Sequence, residues 1–101
     1  MRFLSIVFFV SGPAVALAAA DLTAARQAVA EQHDTAARTL LQPIVVAEPA
    51  NAEALHLLGM CEVRAREYAP AVEHLAAAVA LVPARAEYQA DYGNACLRQA
   101  E

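Results

Sequence analysis

The chain repeats itself at an offset of 34 residues. Pro49 is matched by Pro83, Ala37 by Ala71, Leu41 by Leu75 and Val45 by Val79. Arg64 is matched by Arg98 and Glu53 by Glu87, while Ala25, Gly59 and Gly93 form a three-member series. A period of this length belongs to arrays of helix pairs, in which no unit buries its apolar face alone and each must stack on its neighbours. Composition points the same way. Ala and Leu dominate, only 3 Gly and 5 Pro occur in 101 residues, and no stretch alternates with the period of two that a strand needs. The expected fold class is therefore all-α, built of antiparallel helix-turn-helix repeats.

The unit from Ala52 to Arg85 shows its pattern best. Leu55, Leu58 and Gly59 fall in its first helix, Tyr68 follows the turn, Ala71, Leu75 and Ala78 share a face of the second helix, and Pro83 stops it. This unit resembles the tetratricopeptide repeat family. The resemblance implies an α-solenoid in which small residues sit where two helices cross and large ones fill the space between them. Leu55 stands where that family often has Trp, and Glu62 where it often has an aromatic residue. An earlier unit, about 22–51, keeps Ala37, Leu41 and Pro49 in its second helix, which also contains Pro43. Pro43 lacks a backbone donor and is expected to kink that helix or begin a new turn. A last helix, 86–100, repeats the Leu58-Gly59 pair as Tyr92-Gly93 and is expected to cap the stack.

Residues 1–20 read as a secretory signal peptide. Arg2 gives a positive start, Phe3 to Val10 form an apolar run broken only by Ser5, and Ser11-Gly12-Pro13 end it. Ala16-Leu17-Ala18 and Ala18-Ala19-Ala20 both fit a cleavage site, and a cut after Ala20 leaves Asp21 first. The apolar run is shorter than the roughly 20 residues needed to span a bilayer. The expectation is a periplasmic or secreted protein, 21–101, with no stable membrane insertion once the leader is removed.

Seven basic and eleven acidic residues give a formal charge of −4, and removal of Arg2 with the leader makes it −5. This balance argues against a general nucleic-acid or anionic-membrane binder, since both need a basic surface. After residue 20 no Ser remains, so a serine nucleophile is excluded there. No Gly-rich phosphate loop, His-Glu-x-x-His pair or serine elbow is present, and no catalytic residue is assigned. His56, Met60 and Cys61 are soft donors, but Cys61 projects about 100° away from Met60 on a helix, so no metal site or cofactor is expected. Cys61 and Cys96 occupy nearly equivalent helix positions. A disulfide between them requires both to point inward, and buried free thiols are the other reading.

By the family resemblance, the first helix of each pair lines an inner face. That places Leu22, Arg26, Val29 and Ala30 there from the first helix. Glu53, His56, Met60, Val63 and Arg64 follow from the next, and Glu87, Ala90, Asn94, Leu97 and Arg98 from the last. Arg26, Glu53, His56, Met60, Arg64, Asn94 and Arg98 are the candidate partner-binding residues. Arg forms paired hydrogen bonds to a carboxylate and Asn bonds peptide backbone, which suits an acidic or C-terminal segment of a protein partner. In the alternative reading both Arg are solvated or paired with nearby acids. The leading expectation is an exported adaptor within an envelope assembly. The alternative is a structural or homo-oligomerising module, or a piece of a longer repeat protein, without a groove of its own. A chain with so few repeats is marginal alone.

Overall fold

The computed structural model describes residues 22–101, and the expected leader, residues 1–20, lies outside them. Five helices and no strand occur among the described residues: α1 over 22–30, α2 Asp34–Ala47, α3 Ala52–Arg64, α4 Tyr68–Leu81 and α5 Ala86–Ala100. From α2 onward each helix packs on the next, and α3 also touches α5. The result is an all-α stack of antiparallel helices joined by short turns, as the period implied.

The repeat is visible in the backbone as well as in the side chains. Gln32 and Arg66, 34 apart, have φ of 61° and 65°. After α1 and after α3 the same two bonds form: Gln32 N–H donates to Val29 and Arg66 N–H to Val63, then His33 N–H donates to Ala28 and Glu67 N–H to Glu62. This is the helix-ending arrangement in which a left-handed residue lets two amides satisfy the last free carbonyls. Glu48 (φ −131°, ψ 75°) and Val82 (φ −133°, ψ 74°) likewise match. Each precedes a proline, which bars the helical conformation and ends its helix. Asn51 accepts from the Ala54 amide at 3.1 Å and so caps α3.

Pro43 does not break its helix: α2 runs through it to Ala47. Pro43 itself is exposed, while Leu41 and Ile44 on either side are buried and anchor both halves. Packing of these flanking residues outweighs the missing amide.

The core is made of small and medium side chains. Ala25, Ala37, Ala54, Ala71, Ala78 and Ala95 are fully buried, with Leu41, Leu75 and Cys61 the largest side chains so enclosed. A buried Leu contributes about 1.5–3 kcal/mol of transfer free energy, whereas Ala mainly allows helices to approach. At Gly59, α3 and α4 come very close. A Cβ added to Gly59 would lie 2.6 Å from Leu75 Cγ and 2.7 Å from Cδ2. Leu55, in place of a larger aromatic, packs in a second cluster with Ala78 and Tyr88. No described helix is long and apolar enough to cross a membrane.

Two outcomes follow from these geometries. Gly59→Ala drives a methyl into the base of an immobile Leu75 and should lower unfolding free energy by roughly 1–3 kcal/mol. An unchanged urea midpoint would show that the two helices are free to part. Arg66 is exposed, has no side-chain partner among the described residues and holds a left-handed conformation. Arg66→Gly should therefore raise stability by roughly 0.5–1 kcal/mol, because glycine adopts that conformation without strain; a loss in the same assay would contradict this.

Candidate functional site

The odd-numbered helices share one face, and between them lies a hollow of about 350 Å³. Arg26, Val29 and Ala30 of α1 line one side. Glu53, His56, Leu57, Met60 and Arg64 of α3 form its floor, and Arg85, Glu87, Tyr88 and Asp91 at the start of α5 close the other side. A smaller adjoining hollow of about 130 Å³ is lined by Met60, Val63, Arg64, Leu75, Asp91 and Asn94. Met60, Arg64 and Asp91 border both, so the two spaces are neighbours along α3 and α5. The spacing is the cause. Residues three and four apart on one helix fall on a stripe, and the 34-residue period brings the stripes of successive first helices side by side.

The charges lining this face are paired within the protein. Arg26 grips Glu53 through Nε and through Nη2, the latter 2.9 Å from Oε1. That contact holds the Glu53 carboxyl below its ordinary pKa. Arg64 Nη1 donates to Asp34 Oδ1 at 2.8 Å and to the Val29 carbonyl at 3.1 Å. It therefore ties α3 to the end of α1 and the start of α2. Arg85 Nη1 donates to Glu87 Oε1 at 3.2 Å and its guanidinium carbon lies 5.1 Å from the Tyr88 ring centre. His56, only 6 % exposed, stacks on Tyr88 with ring centres 4.4 Å apart and meets Asp91 Oδ2 through Nε2 at 2.6 Å. This row of Arg85, Tyr88, His56 and Asp91 fastens α5 to α3.

Five of the sequence-derived candidates, Arg26, Glu53, His56, Met60 and Arg64, meet in the larger hollow. Asn94 lies in the smaller one with Met60 and Arg64. Arg98, one turn beyond Asn94, borders neither; it is exposed and has no ion-pair partner among the described residues. Leu22 and Val29 are core residues, 7 % and 5 % exposed, although Val29 also reaches the hollow. Ala90 and Leu97 are exposed and outside both hollows. Sequence reasoning missed Leu57, Arg85, Tyr88 and Asp91; Asp91 stands 34 after Leu57, so the period relates these two missed residues to each other.

Glu62 lies away from this face. It is 4 % exposed, its Oε1 is 2.7 Å from His74 Nδ1 of α4, and Arg38 and Glu67 are close enough to act on it electrostatically. Arg38 itself pairs with Glu67 at 2.8 Å. Burial outweighs His74 and raises the Glu62 carboxyl above its ordinary value. A polar pair thus fills the space between α3 and α4 at this position. Cys61 and Cys96 are both free thiols. Burial pushes Cys61 up to about 11. Among the described residues, no group of three or more His, Cys, Asp or Glu side chains is placed to hold a metal ion.

No protein-family profile matches the chain, and no curated protein is significantly similar to it.

The raised Glu62 carboxyl gives stability a pH dependence of known sign. The folded protein holds that proton more tightly than the unfolded chain, so this group's contribution is full below the ordinary value of 4.5 and is lost as pH rises through the raised value. Urea unfolding of wild type and Glu62→Gln at successive pH values should show wild type losing ground to the variant over that rise. A wild type that instead gains on the variant would mean that His74 holds Glu62 ionised.

Proposed function

We propose that this chain is an exported adaptor of tetratricopeptide type that binds a protein segment along the face shared by α1, α3 and α5. The observation that carries the reading is the hollow of about 350 Å³, lined by residues of the odd-numbered helices and the turn before α5, with an adjoining hollow of about 130 Å³ that Leu75 of α4 also lines. Its floor mixes an apolar, adaptable residue, Met60, with groups that hydrogen-bond. That combination suits a peptide better than a small rigid ligand.

The internal ion pairs refine what the segment must offer. Arg26 and Arg64 already hold carboxylates, so an acidic partner gains little by replacing one carboxylate with another. The open groups are Asn94 and Arg98, one turn apart on α5. In this reading Asn94 bonds the segment's backbone, Met60 packs against an apolar side chain, and Arg98 receives a carboxylate, for example the segment's C-terminus. The internally paired charges keep the face in shape and are not the clamp.

The test uses purified protein to capture partners from an envelope extract, followed by direct titration with the captured partner's purified segment. Combined Asn94→Ala and Arg98→Glu substitution at exposed positions should weaken binding about tenfold or more, equivalent to at least ~1.4 kcal/mol, while helical content stays unchanged. Arg64→Glu is the poorer probe, since it places a carboxylate beside Asp34 and unties α1 from α3. No retained segment, or equal affinity for both forms, would remove the support for this reading.

A further inference from the structure

The four ion pairs that hold the charges of the larger hollow are not alike. Arg26–Glu53, Arg64–Asp34 and Arg85–Glu87 each join a carboxylate to a guanidinium, which stays charged at any ordinary pH. Asp91 pairs with His56 instead, and histidine is the side chain that can lose its charge near neutrality. With the imidazole neutral, the face holds balanced pairs and one carboxylate whose charge no other group lining it offsets. His56 meets Asp91 Oδ2; Oδ1 has no partner among the described residues, and the side chain is 40 % exposed. Asp91 is also the acidic residue that borders both hollows.

Beside Asp91, the residues Met60, Val63 and Leu75 give the smaller hollow, about 130 Å³, an apolar wall. A space of that order holds a molecule of benzene, so it admits one aliphatic side chain. Asn94 lines the same hollow one turn beyond Asp91, and Arg98 follows one turn later. The step from Asp91 to Arg98 is about 10 Å along the axis of α5. An extended chain covers that length in about three residues, with alternate side chains on the same side.

We infer that the segment bound on this face is basic and apolar in a fixed order. A Lys or Arg about three residues before its C-terminal residue meets Asp91, and the aliphatic side chain next on the same side enters the smaller hollow. The C-terminal carboxylate then reaches Arg98, and Asn94 bonds the backbone between. A Glu in place of the basic residue would face the Asp91 carboxylate and be repelled, so the site separates basic from acidic segments. The inference rests on the reading of this face as a groove with Arg98 as its carboxylate site, and it adds the charge and spacing of what the groove takes.

The probe is acetylated Ala-Lys-Ala-Leu-Ala with a free C-terminus, titrated into protein expressed from the full 101-residue coding sequence. Methyl NMR at about pH 8, above the ordinary histidine range, should show the Met60, Val63 and Leu75 signals shifting. Gln for Lys in the peptide, or Asp91→Asn in the protein, should each weaken binding roughly three- to fivefold, and both together no further. Asn keeps an oxygen for His56 Nε2, so helical content should be unchanged. Glu73→Gln makes the same charge change at an exposed position on α4 outside both hollows and should leave affinity unaltered. Equal affinity for the Lys and Gln peptides, a Lys preference that survives Asp91→Asn, or an equal loss with Glu73→Gln overturns the inference. Binding that still depends on Asn94 and Arg98 would in those cases leave the groove reading standing. No methyl shift up to about 5 mM peptide also overturns the inference, and the groove reading then falls only if the capture experiment fails as well.

Discussion

Leu75 resting over Gly59 sets the spacing from which the rest of the arrangement follows. With no side chain on Gly59, α4 comes close enough to α3 for Leu75 to be wholly enclosed. The neighbouring crossings are floored by alanines, so the core gains its density from close approach more than from large side chains. That economy has a consequence. Few residues have enough volume to hold the stack by themselves, and polar ties carry part of the work of fixing helix order.

Those ties lie on both sides of the core. On the shared face of α1, α3 and α5, Arg26–Glu53, Arg64–Asp34 and His56–Asp91 join helices that are distant in sequence. Behind it, Glu62–His74 and Arg38–Glu67 join α3 and its turn to α4 and α2. The more exposed of these pairs, such as Arg26–Glu53, contribute little energy each, but together the pairs fix which groups remain open. Asn94 and Arg98 have no side-chain partner among the described residues, whereas the charged groups lining the hollows are paired.

How far the sequence could be read depended on whether a feature was local. Helix ends at Pro49 and Pro83 were legible because a proline acts on its own neighbours, whereas the cap at Asn51 came from the structure. The shared face was legible because the period of the repeat places equivalent residues together. Pro43 stands inside α2, which continues past it to Ala47 rather than ending there, with the buried Leu41 and Ile44 on either side. The unit around it looked worn in side chains, yet its turn at Gln32 has the same torsions and hydrogen bonds as the turn at Arg66. Backbone geometry there is kept by hydrogen bonding that no residue type in the sequence announces.

The sequence alone determined the helical class, the period, the proline-marked places where helices stop and part of the set of residues that share a face. Each of these follows from spacing along the chain. Tertiary structure alone decided which Arg is spent and which is open, since ion pairing depends on distances between residues some 30 positions apart, as in Arg64 and Asp34. It also decided that two glycines of one repeat series have opposite surroundings. Gly59 is covered and Gly93 is open, because only the first has a helix packed against it.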